Sequence, residues 1–125
     1  MKEGKFMRPL PGLVLLLSTA GWIVLLLLTA HAVIGLGAPA SIAIFFGDFA
    51  NPWRAQFNGD FTLHLVLIAC WIFWRTQSKG LGLLLACLSV FCGGLFNLAY
   101  IAIALIGAKG DIRAALLGHH AGREA

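Results

Sequence analysis

The stretch Pro52–Arg75, PWRAQFNGDFTLHLVLIACWIFWR, decides how this chain is read. Two readings compete for it. In the shorter one the helix is the apolar run from Phe61 to Trp74, about 14 residues, or about 21 Å at about 1.5 Å per residue. That falls short of a hydrocarbon core about 30 Å thick. Asp60 would then cap the helix at a membrane surface that thins locally. In the longer one Asn51 is the cap and Pro52 is the first helical residue, a position proline favours because no amide is needed there. The helix then runs to Arg75, long enough to cross, and Asp60 and His64 lie below the headgroups. The longer reading is preferred.

Composition supports a bilayer. The chain has 125 residues, 60% of them hydrophobic and only 11% charged. A small soluble domain has too much surface for its volume to hide that much apolar side chain. The net charge of +4 does not point to nucleic acid, because Lys and Arg punctuate the ends of apolar runs instead of forming one stripe. Cys70, Cys87 and Cys92 fall inside apolar runs without CxxC spacing and read as small buried hydrophobes.

Two further spans flank the first. Leu13 to Leu36 is uncharged throughout, and at about 24 residues it exceeds the apolar core of a signal peptide, about 7–15 residues. Leu81 to Gly107 is the other. There Ser89, Gly93 and Asn97 recur every fourth residue and read as a helix-packing face. Between the first two spans, Ile42, Phe45, Phe46, Phe49 and Trp53 share one helical face, with Ser41 as N-cap. This predicts a short amphipathic helix over about 41–50 lying in the membrane interface. The expected fold is all-α and a single membrane domain: three transmembrane helices over about 13–36, 52–75 and 81–107, one interfacial helix, and an exposed tail over 108–125.

Three crossings put Lys2, Lys5, Arg8, Arg75 and Lys79 on one side and Arg54, Lys109, Arg113 and Arg123 on the other. The basic residues nearest the membrane favour a cytoplasmic N-terminus and a periplasmic C-terminus in a bacterial inner membrane. The same count of crossings brings His31, Asp60, His64, Asn97 and Tyr100 into one half of the bilayer. These five are expected to form a hydrogen-bonded polar cluster, since unpartnered polar groups are costly in hydrocarbon. Trp53, Trp71, Trp74 and Arg75 read as interface anchors.

Sharper chemistry finds less support. His31 and His64 as axial haem ligands rest on two lone histidines, and His119–His120 as a metal pair on an adjacent pair in a tail. No nucleophile with a base, phosphate loop or metal set is visible, so no catalytic residue, metal or cofactor is assigned.

From PWRAQFNGDF through Trp71, Arg75 and Tyr100 to GDIRAALLGHH, the chain resembles a family of small uncharacterised integral membrane proteins of bacteria, with distant plant relatives. The resemblance covers roughly residues 52–119 and rests on Pro52, Trp53, Asp60, Phe61, Trp71, Arg75 and Tyr100. It implies membrane placement and transfers no activity. The leading expectation is a non-enzymatic packing or accessory protein that meets a second copy or a membrane partner through the Ser89–Gly93–Asn97 face. The alternative is a membrane-embedded site for a lipid, quinone or proton at Asp60 and His64. An enzyme of lipid metabolism ranks last.

Overall fold

The computed structural model describes residues 9–123, which contain helices and no strand. In chain order they are α1 (Pro9–Leu36), α2 (Ala40–Gly47) continued by a 3-10 turn (Asp48–Ala50), α3 (Pro52–Arg75), α4 (Lys79–Cys92), α5 (Gly94–Gly107) and α6 (Ile112–Leu117), which runs into a closing 3-10 turn (Gly118–Arg123).

The longer reading of the central helix holds. Asn51 stands in extended backbone, and its side-chain oxygen accepts from the amides of Trp53 and Arg54 at 3.1 and 3.3 Å. Those are donors that a helix start leaves open, and Pro52 has none to add. The short helix predicted over about 41–50 is also present, as α2, although Ser41 does not cap it. Its hydroxyl instead donates to the Ala38 carbonyl at 2.7 Å.

The stretch expected as a third span is different. It is two helices of 14 residues each, α4 and α5. On one straight helix Ser89 and Asn97 would stand about 12 Å apart. Instead the Ser89 hydroxyl donates to the Asn97 side-chain oxygen at 2.6 Å. Only a chain that turns back on itself allows this. The turn is at Gly93, whose φ of 58° and ψ of −135° lie where an L side chain is strained. The expected span over 81–107 is therefore a helical hairpin.

Neighbours give the directions. Phe73 of α3 packs on Gly82 near the start of α4, and Phe61 packs on Gly93 at its end, so α3 and α4 are antiparallel. Leu25 meets Gly94, Trp22 donates its indole N–H to the Leu95 carbonyl at 2.8 Å, and Gly21 meets Leu98, so α5 runs antiparallel to α1. Phe61 sits at Gly93, where α5 begins, and Trp71 and Arg75 reach Tyr100 further along it, which gives α5 the same direction as α3. The buried face of α3 is Leu65, Ala69 and Ile72, at helical spacing, against α4. Glycines mark the helix contacts, where the missing side chain lets the neighbouring helix come close.

Among the described residues, only α1 and α3 are helices long and apolar enough to cross a membrane, by length and composition. Little of their apolar windows, 6% and 17%, is buried, which separates them from the core helices of a soluble domain. The reversal at Gly93 also places the start of α1, the Arg75–Lys79 connection, the end of α5 and α6 at one end of the molecule. α2 and Asn51 lie at the other.

Candidate functional site

The two ends of α3 hold the polar chemistry. At the Arg75 end, the last four carbonyls of the helix need donor partners. Side chains supply all of them. The Thr76 hydroxyl donates to the Ile72 carbonyl at 2.7 Å, the Lys79 ammonium to Phe73 at 3.4 Å, His120 to Trp74 at 3.0 Å and His119 to Arg75 at 2.8 Å. The two histidines come from the closing turn, 44 and 46 residues away. They reach because α6 is set against this end: Asp111 caps α6 by accepting from the Ala114 amide at 3.2 Å, and the Trp71 indole donates to the Leu116 carbonyl at 3.0 Å. Gly118 then passes directly over Arg75. A Cβ there would stand 2.6 Å from the Arg75 carbonyl oxygen, and its φ of 57° is a second reason for glycine. The tail expected to be exposed is thus docked, and His119 and His120 act as helix-end donors.

Arg75 itself is held in an aromatic cage. Its guanidinium carbon lies 5.5 Å from the Trp71 ring centre and 5.3 Å from that of Tyr100, and one nitrogen donates to the Tyr100 hydroxyl at 2.6 Å. Its Nε is buried without an acceptor. Among the described residues no carboxylate pairs with it.

In the half of α3 nearer Asn51, reaching its middle, Asp60 and His64 stand one turn apart. The imidazole Nδ1 donates to the Asp60 carbonyl at 2.7 Å and lies 3.6 Å from its carboxylate. Both side chains are mostly exposed, 62% for Asp60 and 68% for His64. Nearby, Asp48 pairs with Arg54 at 3.1 Å, and Asn58 donates to the Phe45 carbonyl at 3.3 Å, tying α2 to α3.

The expected five-residue cluster does not form. His31 is exposed on α1 and makes no side-chain hydrogen bond among the described residues. Asn97 is buried against Ser89, with its amide nitrogen unpaired. Tyr100 belongs to the Arg75 end. The physical reason is the reversal at Gly93, which carries the second half of 81–107 away from Asp60. It also removes the expected packing surface: Ser89, Gly93 and Asn97 are buried, facing each other inside the hairpin. Of the expected anchors, Trp71 and Arg75 are partners in the cage and Trp74 stacks on His120 at 4.2 Å. Trp53 is exposed and stacks on Phe57. The signal that could have flagged the hairpin was the Gly93–Gly94 pair, a turn dipeptide inside an apolar run.

No family model, no curated protein and no solved structure matches this chain.

Proposed function

We propose that this chain is a non-catalytic integral membrane protein that works as a homo-oligomer, its copies joined along one face of α3. One observation carries the reading. Trp53, Phe57, Asp60, His64 and Leu67 recur at alternating steps of four and three, the heptad spacing of paired helices. This seam is uncovered: Trp53 is 71%, Phe57 63% and Leu67 68% exposed. An ionisable pair in the middle of such a seam is costly in hydrocarbon and ordinarily faces a partner. An acid and an imidazole on one face also make that face self-complementary about a two-fold axis, because the acid of one copy then faces the imidazole of the other. A polar pair at one level of the seam sets register as well.

In the bilayer, α1 and α3 cross and the α4–α5 hairpin enters and leaves by the same side. Each hairpin arm is about 21 Å long and stops short of the far surface. Every lysine and arginine except Arg54 then belongs to one side, counting Lys2, Lys5 and Arg8, which precede α1 in sequence. By the positive-inside rule that side is cytoplasmic. This orientation puts both ends of the chain inside and replaces the periplasmic tail expected from three crossings. A bacterial inner membrane suits it.

Cysteine crosslinking in membranes tests the seam, in a chain whose Cys70, Cys87 and Cys92 are replaced by serine. Leu67→Cys gives a disulfide-linked dimer, and Leu63→Cys, equally exposed but off the seam, does not. Equal crosslinking at both positions would refute the seam. Membrane-impermeant labelling tests orientation: Arg54→Cys reacts from outside and Lys109→Cys does not. A reactive Lys109→Cys would restore the third crossing. The alternative of a ligand held by Asp60 and His64 gains no support from the cavity beside Phe61, which neither residue lines.

A further inference from the structure

Beyond oligomerisation, the Arg75 end has the makings of a binding site. A cavity of about 400 Å³ opens there between α1, α3, α5 and α6, and every side chain lining it is aliphatic or indole. Its walls include Leu10, Ile68, Trp71, Ala104 and Leu116. Trp71 is shared: it lines the cavity and also stacks against the Arg75 guanidinium. Its indole N–H is spent on the Leu116 carbonyl, so the wall is fixed in place.

We propose that this end of the molecule holds one anionic phospholipid, with its phosphate on Arg75 and one acyl chain in the cavity. Three features converge on that ligand. The cationic head is uncompensated, since no carboxylate pairs with Arg75 among the described residues and Tyr100 occupies only one of its nitrogens. A guanidinium with donors to spare, caged by aromatic rings and only half-buried, is suited to a phosphate oxygen. The adjoining space is wholly apolar and lined by four helices, a groove of a size and chemistry that suit a hydrocarbon chain. The lysines and arginines gathered at this end add a favourable field for an anionic headgroup.

Native mass spectrometry of the full chain, released from mild detergent with added phosphatidylglycerol or phosphatidylcholine, tests it. Phosphatidylglycerol is expected to be retained over phosphatidylcholine by roughly fivefold or more, the factor one basic residue near an anionic surface provides. Arg75→Gln brings the two lipids level. Ala104→Phe, which fills the cavity and leaves the cage in place, lowers retention of both. Glycerol 3-phosphate, the headgroup without a chain, does not displace the lipid. Equal retention of the two lipids by the native chain overturns the proposal. So does undiminished retention by Ala104→Phe, a measurement that stands even where Arg75→Gln fails to fold. Displacement by glycerol 3-phosphate would mean a phosphate site without a seat for the acyl chain, and would also overturn it.

Discussion

The two ends of α3 are built from similar materials and finished in opposite ways. Both carry tryptophan, a cation and at least one histidine. At the Arg75 end each terminal carbonyl has a side-chain donor, the cation is caged, and a distant turn is folded down over it. At the Asp60 end the acid and imidazole meet only each other, while Trp53 and Phe57 stack in the open. The difference teaches where the chain closes on itself. One end satisfies its helix-end carbonyls with the chain's own side chains, and the other leaves its acid and imidazole exposed.

Mutation should expose this contrast in order of size. Gly118→Ala is expected to be the most damaging, because a Cβ meets the Arg75 backbone and the backbone conformation is itself unfavourable. A loss of about 3 kcal/mol is expected, read as a lowered thermal midpoint in detergent. Replacing His119 and His120 together by alanine should cost about 2 kcal/mol, since two carbonyls lose their donors, and should free α6 for proteolysis. Asn51→Ala, at the opposite end, should cost about 1 kcal/mol, the usual worth of an N-cap, by the same melting measurement. Smallest of all, Asp60→Asn with His64→Ala should leave the melting of the monomer in detergent unchanged, because both groups are exposed there. The same double variant should abolish the Leu67→Cys crosslink in membranes. A large stability loss from that last pair would erase the contrast between the ends.

Much of this was legible in local chemistry. Asn51-Pro52 announces a helix start, and the structure places it there; Asp111 before an apolar run does the same for α6. The stripe from Ile42 to Phe49 gave α2 its period. What could not be read depended on contacts distant in sequence. Ser89, Gly93 and Asn97 at steps of four are the face of a straight helix and equally the two arms of a tight hairpin, and periodicity alone does not choose between them. A residue count treats 81–107 as long enough to cross, yet the glycine pair at its centre divides it into arms that are each too short. From that one reversal followed the misplacement of Tyr100, the dissolution of the five-residue cluster and the change in where the tail lies. The histidines of the closing turn gave no local sign of their work, because their acceptors lie more than forty residues earlier.

The early turn at Gly93 also shapes the whole molecule. Four helices, α1, α3, α4 and α5, stand side by side at the Arg75 end, but among the described residues only α1 and α3 continue beyond the level of Phe61, with the short α2 beside them. The outline therefore tapers. Were copies to pair along the α3 seam as proposed, such wedges would press unequally on the two leaflets of a bilayer.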